Sequence, residues 1–362
     1  MKSHEPPGIR TALEAFPTCI LNRMSDRYSR QVLFQQIGEE GQRRLAAAHV
    51  LVVGCGALGS AQIESLARAG IGHLRFVDRD FVEFSNLQRQ TMFTEQDADE
   101  RLPKAIAVAN HVRAINSEVE LEAEVTDVNH SNIERFIANC DVVIDGTDNF
   151  DTRYLINDAC VKHGVNWIYG AAVGSYGVTM TIRPNKTACL RCVFEEAPPA
   201  ASAPTCDTAG VIMPIINVVA AVQTTEALKL LTGNVNDLHN SLLQFDVWRN
   251  ETRAINPGGP RDDCETCGRR LFGTLEPTAR DFAAVLCGRN AVQISPGTPT
   301  HLDFPTLAER LRNVGDVKFN DYLLRFRTSD YELTVFQDAR SIIKGTDQIA
   351  TARSVYAKYI GN

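Results

Sequence analysis

Six residues, Gly54-Cys-Gly-Ala-Leu-Gly59, join the apolar run HVLVVG to the periodic segment ALGSAQIESLARAG. That junction restricts what the chain can fold into. A strand rich in valine runs directly into a helix. The glycines between them let the backbone approach a ligand closely, and the first helical NH groups attract an anion. A second run, HLRFVD, ends at Asp78, nineteen positions beyond Gly59, where a carboxylate can accept from a ribose hydroxyl. PKAIAVANHVRAI, VELEAEV, a short polar helix near 130–138, DVVIDG and NFDTRYLINDACVKHG continue the alternation of helical and strand periods. The expected fold is a doubly wound, mostly parallel α/β sheet of Rossmann-like type.

Three regions are expected. Residues 1–24 carry three prolines and no period, and read as a mobile tail in which Met24 is a second candidate start. Residues 25–272 form the nucleotide-binding domain. They include the loop FEEAPPAASAPTCDTAG, too small and too rich in Pro and Ala to pack, then the helix pattern PIINVVAAVQTTEALKLLTG and strands near LLQFDVW. Residues 273–362 alternate apolar and polar in DYLLRFRTSDYELTVFQDA and close on ATARSVYAKYI, which predicts a small α+β domain. A net charge of −7 gives no basic face for nucleic acid or an anionic membrane, although a local cationic pocket is compatible with it. No apolar run is long enough for a membrane span and the N-terminal segment has no signal-peptide core, so the expected location is cytoplasmic.

The glycine fingerprint alone leaves the nucleotide open, and a NAD domain is its simplest reading. The residues after it point elsewhere. Arg89 in SNLQRQ, Lys104 in LPK and Arg30 in RYSRQ concentrate cations that a dinucleotide pyrophosphate, already held by a helix terminus, does not need. A triphosphate under attack does need them, because its transfer is catalysed by positioning and charge neutralisation. Asp148, in DGTDNFDTR at a strand tip, has the hard oxygens that Mg²⁺ prefers. Each residue has a structural alternative: a surface ion pair for Arg30 and Arg89, a solvated first-turn position for Lys104, a helix N-cap for Asp148.

Four of the ten cysteines form two CxxC pairs, Cys189/Cys192 and Cys264/Cys267. Two such knuckles make one tetrahedral Zn²⁺ site, closed and structural, that would staple the end of the large domain to the strand before the Pro/Ala loop, with a redox CxxC or a chance spacing as the alternatives. Cys206, in APTCDTAG just ahead of a helix, occupies the position of an exposed nucleophile. Cys55, Cys140, Cys160 and Cys287 read as core, and Cys19 belongs to the tail.

RYSRQ, GCGALG, DRDFVEFSNLQRQ, LPK, DGTDN, CLRC, TCDTAGV and CETC, in that order from about Arg27 to Cys267, closely resemble the ThiF and MoeB family. These are bacterial adenylyltransferases of sulfur-carrier proteins, related to ubiquitin-activating enzymes. The likeness continues more weakly through VLCGRNAVQI and LTVFQDARSIIKGT, which look like the longer ThiF-type proteins of Gram-positive bacteria. No rhodanese-like domain is evident.

The resemblance implies that ATP·Mg²⁺ and the Gly-Gly tail of a small ubiquitin-like carrier are bound, and that the carrier carboxylate attacks the α-phosphate. It places Gly54, Gly56, Ala57, Gly59, Asp78, Ser85, Asn86, Leu87, Gln88, Arg89, Lys104, Asp148 and Asn149 at the nucleotide, with Asp78 on the ribose. Asn86, Arg89 and Lys104 would hold the phosphates and Asp148 the metal. Arg30 matches an arginine that reaches the neighbouring subunit's ATP, which implies a homodimer. Cys206 matches the cysteine that links to the carrier in the thiamine branch, where a cysteine desulfurase can supply sulfur; in the molybdopterin branch, the other pathway the resemblance implies, the equivalent cysteine is dispensable. Ala57 departs from a position that is often Gly, a change tolerated if its φ is negative. A NAD-dependent oxidoreductase would leave Arg30, Arg89, Lys104 and both CxxC pairs unexplained. A non-catalytic carrier-binding scaffold would be expected to have lost a phosphate ligand, and none is missing.

Overall fold

The computed structural model describes residues 26–196, 209–276, 283–286, 290–296 and 301–361. Strand β1 (His49–Val53) is buried at four of its five positions because it lies inside a sheet covered on both faces. Its neighbours are β2 (His73–Asp78) and β4 (Val142–Asp145), both parallel to it, with β3 (Glu120–Val125) beyond β2 and β5 (Asn166–Val173) beyond β4. Three antiparallel strands, β6 (Tyr176–Ile182), β7 (Leu242–Asp246) and β8 (Glu251–Ile255), extend the far side, giving the order β3-β2-β1-β4-β5-β6-β7-β8. The doubly wound, mostly parallel sheet is as expected. Strand β8 was not foreseen: all five of its residues are exposed, so it carries no apolar alternation and exists through its pairing with β7.

Side chains alternate across β1, so Val50 and Val52 face one layer and Leu51 and Val53 the other. The first layer is α1 (Gly38–Ala47), α2 (Ala57–Ala69), α3 (Lys104–Ile115) and part of a later helix, packed through Leu45, Ile63, Leu66, Val108 and Ala227. The second is built on α4 (Phe150–His163), with Tyr154, Ile156 and Cys160 against Trp167 and Tyr169 of β5. Each fully buried aliphatic side chain of this kind contributes roughly 1.5–3 kcal/mol. Helix α2 stops at Gly70, whose φ of 82° is left-handed and whose missing Cβ would lie 2.5 Å from the Tyr28 ring.

The later helix, α5 (Met213–Thr232), is long and apolar enough to cross a membrane by length and composition. Its contacts are those of a core helix. Ile215, Ile216, Val219 and Ala220 pack on Leu58 of α2, and the buried Gln223 donates to the Asp145 and Ile168 carbonyls at 3.0 and 3.1 Å.

A second sheet, antiparallel, follows in the chain: β9 (Ala283–Leu286), β10 (Ala291–Ile294), β11 (Asp316–Phe319), β12 (Leu323–Arg327), β13 (Glu332–Phe336) and β14 (Ser341–Lys344), in the order β11-β12-β13-β14-β10-β9. Helices α6 (Phe304–Arg312) and α7 (Ile349–Tyr359) close its core through Phe304, Leu307, Leu311, Ala352 and Val355. This is the expected small α+β domain. Cys55 and Cys160 are fully buried, as expected, but Cys140 is only half-buried and donates to the Phe136 carbonyl at 3.3 Å. Cys19 and Cys287 lie outside the described residues.

Candidate active site

The parallel strands end together at β1, β2 and β4, and the chain reverses its direction of winding between β1 and β4. A crevice at such a reversal is where open α/β sheets bind ligands. Gly54 leaves β1 with a φ of 92°, and a Cβ there would sit 2.7 Å from the Gly146 carbonyl. A Cβ on Gly59 would meet the Gly54 carbonyl at 1.8 Å, and one on Gly146 would meet it at 2.8 Å. These three glycines therefore interlock, tying the first turn of α2 to the end of β4. Gly56 is different: its nearest neighbour is Gln90 Nε2 at 4.0 Å, so its face stays open to a ligand. Ala57 is the first residue of α2 and keeps a negative φ, so its methyl group is accommodated.

Asp78 ends β2 with both oxygens engaged. Oδ2 accepts from the Cys55 NH at 2.7 Å and Oδ1 from the Asp80 NH at 2.7 Å, so the carboxylate ties the glycine turn to the following loop. Burial raises its pKa and the Lys104 charge opposes that rise. Lys104 opens α3 with a side chain only 7% exposed, its Nζ 3.5 Å from Asp80 Oδ2. It is thus not a solvated first-turn residue. Asn86 is buried, and its Oδ1 accepts from the Glu83 NH at 3.0 Å. Asn86 and Lys104 line one small cavity with Asp80, Phe81 and Glu83 on one side and Ala291, Ile342 and Lys344 of the second sheet on the other. Arg89 turns back to the Ser85 carbonyl at 2.8 Å, Leu87 is half-buried against the core, and Ser85 and Gln88 are exposed.

Asp148 is exposed at the end of the loop after β4. The helix cap is its neighbour Asn149, which accepts from the Thr152 NH at 2.9 Å, so Asp148 is not committed to that role. Arg30 is exposed on the helical turn Ser29–Val32 and makes no hydrogen bond or ion pair among the described residues. The structure does not place it against the other candidates. Cys206 lies outside the described residues.

Four residues of the site were missed in the sequence. Gly146 completes the glycine lock. Gln90 is 4% exposed; its Oε1 is buried with no hydrogen-bond partner, and its Nε2 is the atom nearest the open face of Gly56. Asp145 and Arg153 form a buried ion pair at 3.0 Å, and Arg153 Nη2 also donates to the Thr147 and Gly170 carbonyls at 2.7 and 3.1 Å. Losing one partner of such a pair costs about 3–5 kcal/mol, so the loop carrying Asp148 is held rigidly. The available signals were an acid closing the apolar run VVID and an arginine on the buried face of α4.

Away from this crevice, the sulfurs of Cys189, Cys192, Cys264 and Cys267 all lie within 4.8 Å of one another. Cys189 Sγ is 3.8 Å from Cys192 Sγ and 3.6 Å from Cys264 Sγ, and Cys192 Sγ is 3.3 Å from Cys267 Sγ. Four thiolates at about 2.3 Å from a tetrahedral zinc ion stand about 3.8 Å apart, so the spacing fits. The hydrogen bond to Cys192, then burial, pushes the Cys189 thiol far up, while the same bond pulls Cys192 down to about 4. Four crowded buried sulfurs cannot all ionise without a cation to neutralise them.

The ThiF family profile matches residues 28–266. The Bacillus subtilis sulfur carrier protein ThiS adenylyltransferase is 44% identical over 340 residues, covering 93% of this chain and 100% of that protein. The SAMP-activating enzyme E1 of Haloferax volcanii is 40% identical over 251 residues, 69% of this chain and 92% of its own. Among solved structures, E. coli MccB with ATP superposes with a TM-score of 0.58 at 24% identity, over 67% of this chain and 74% of MccB, a likeness of fold. With its glycine turn, buried cation and cysteine cluster on that fold, and with the family profile matched over residues 28–266, the chain belongs to the ThiF family.

Proposed function

We propose that this protein is an ATP-dependent adenylyltransferase that activates the C-terminal Gly-Gly carboxylate of a ubiquitin-like sulfur carrier, of the ThiS type, for thiocarboxylate formation. The observation that carries the reading is Lys104, a buried cation whose Nζ lies 3.5 Å from Asp80 on the loop that follows the β2 carboxylate Asp78. A dinucleotide oxidoreductase has no use for it. The carrier class is supported by a ThiS adenylyltransferase that matches over 93% of this chain, the small C-terminal domain included. Residues 25–272 form the adenylyltransferase unit and 273–362 its appendage.

In this reading the NH groups of the glycine turn and the start of α2 face the phosphates across the open side of Gly56. Asp78 accepts from the ribose hydroxyls, and Asn86, Arg89 and Lys104 hold the triphosphate. Gln90 Nε2, the atom nearest the open face of Gly56, donates to an oxygen of the bound nucleotide. The carrier carboxylate attacks the α-phosphorus, the bond to the bridging oxygen breaks with its electron pair, and pyrophosphate leaves. Charge gathers on the leaving group, where Lys104 and Arg30, the latter supplied across a homodimer, neutralise it. Asp148 would offer carboxylate oxygens to Mg²⁺, and the ion would supply positive charge to offset that of the phosphates. The four cysteines hold Zn²⁺ as a structural ion.

Purified protein, Mg²⁺-ATP and a Gly-Gly-ended carrier are expected to exchange labelled pyrophosphate into ATP. Tight NAD binding without ATP binding would overturn the assignment. Cys206 acts after this step: its thiolate attacks the acyl adenylate carbonyl and expels AMP, leaving the carrier on a thioester. Cys206→Ala is therefore expected to leave exchange nearly intact while thiocarboxylate formation from a cysteine desulfurase drops. Equal loss of both would mean that Cys206 shapes the adenylylation site instead.

A further inference from the structure

Arg340, in the small C-terminal domain, is 3% exposed and takes no part in the chemistry above. It stacks over the Phe336 ring at 4.0 Å, and both terminal nitrogens lie 3.5 Å from the Arg79 carbonyl, one residue beyond Asp78. Its Nε faces Asp338 at 3.7 Å but makes no hydrogen bond. Gln293 on β10, equally buried, reaches the same residue by another route. Its Nε2 donates to Asp127 Oδ2 at 2.9 Å, and Asp127 Oδ1 accepts from Arg79 Nη1 at 3.2 Å. Arg79 is thus held by its backbone and by its side chain from one neighbouring domain.

The other polar contacts of that domain with the large sheet fall on the same stretch. Lys344 pairs with Glu83 at 3.3 Å, and Asn320 Nδ2 donates to the Glu100 carbonyl at 3.2 Å. Phe81 packs among Ala291, Leu323, Phe336 and Ile342. The stretch from Arg79 to Glu100 begins beside Asp78, carries Asn86 and Arg89, and leads to Lys104. Burying a guanidinium brings little net stability, since an apolar residue of similar size usually serves as well or better. What such a group can provide is a fixed geometry for what it holds.

We infer that the small C-terminal domain is a positioning element for the nucleotide, with Arg340 and Gln293 as positioning residues that fix Arg79 and so aim the Asp78 carboxylate. The inference rests on the reading of Asp78 as the ribose ligand. Displacing a ligating group by a fraction of its optimum weakens binding steeply, by on the order of tenfold.

The test uses the full-length chain, with ATP affinity measured by calorimetry without carrier, and the KM values for ATP and for the carrier measured by pyrophosphate exchange. Arg340→Ala is expected to raise the ATP Kd and KM about tenfold, with the carrier KM unchanged. Arg340→Lys, which can donate to the same carbonyl, recovers most of the loss. Gln293→Ala, which removes no charge, shifts the ATP constants in the same direction and decides the matter if Arg340→Ala does not fold. An unchanged ATP Kd in the folded variants overturns the inference, as does an equal rise in the carrier KM. A wild-type protein that binds no ATP removes the nucleotide reading itself, and the inference with it.

Discussion

Arg30→Ala and Lys104→Ala proteins, each reduced about 10³-fold in pyrophosphate exchange, are expected to regain activity when mixed and allowed to exchange subunits. The magnitude follows from the roles. Each removes a full positive charge from a leaving group whose charge develops in a site sheltered from water. The recovery follows from the arrangement. If Arg30 crosses to the neighbouring subunit, a heterodimer contains one site lacking both cations and one site lacking neither. Random mixing makes half the dimers mixed, so about a quarter of all sites are intact. If Arg30 serves its own subunit, no mixed dimer contains an intact site and the mixture stays inactive. Its exposed position, with no hydrogen bond or ion pair among the described residues, is what an arginine in trans requires. Melting curves of the two variants check that the loss is not unfolding, above all for Lys104, whose side chain is buried against Asp80.

Metal analysis of the freshly purified protein is expected to find one zinc ion per chain, and Cys264→Ser is expected to abolish it. The cluster joins the turn at Cys189 and Cys192 to the turn at Cys264 and Cys267, so metal binding closes a long loop and stabilises the fold directly. Removing a ligand should cost several kcal/mol and lower the melting temperature by on the order of 10 °C. The ATP Kd should change far less, because the cysteines belong to the α4 face of the sheet and Lys104 opens a helix of the other face. Metal-free protein with unaltered stability would count against the site. So would a fall in ATP affinity matching the loss of stability, since that would make the ion part of the nucleotide pocket.

The parallel half of the fold was legible because its inner strands β1 and β4 are apolar at nearly every position, its edge strand β3 alternates, and its helices follow with a 3.6-residue period. VVID of β4 and HVLVV of β1 cannot be surface segments. Strand β8 was not legible, since ETRAI buries nothing and is defined by hydrogen bonds that leave no trace in side-chain pattern. The same division runs through the site. The residues proposed to meet a ligand announced themselves by charge or by glycine. Residues that hold those in place, such as Asp145 and Arg153, carry no local mark, because the contacts that define them, such as the Gly170 carbonyl for Arg153, lie elsewhere in the sequence. Gly146 lay inside a quoted motif, yet its role depends on a carbonyl ninety-two positions away.

The interlocked glycines also decide where this enzyme can vary. At Gly54, Gly59 and Gly146 even a methyl group would lie within 2.8 Å of another backbone atom, and the offended atom belongs to a strand end that cannot retreat without moving the sheet. A mutational library has no usable freedom there. Gly56, with its nearest neighbour 4.0 Å away, and the Gln90 amide opposite it form the adjustable wall. Altered nucleotide preference, whether reached by selection or by engineering, would therefore be written at positions 56 and 90, leaving the other three glycines as fixed letters in an otherwise editable text.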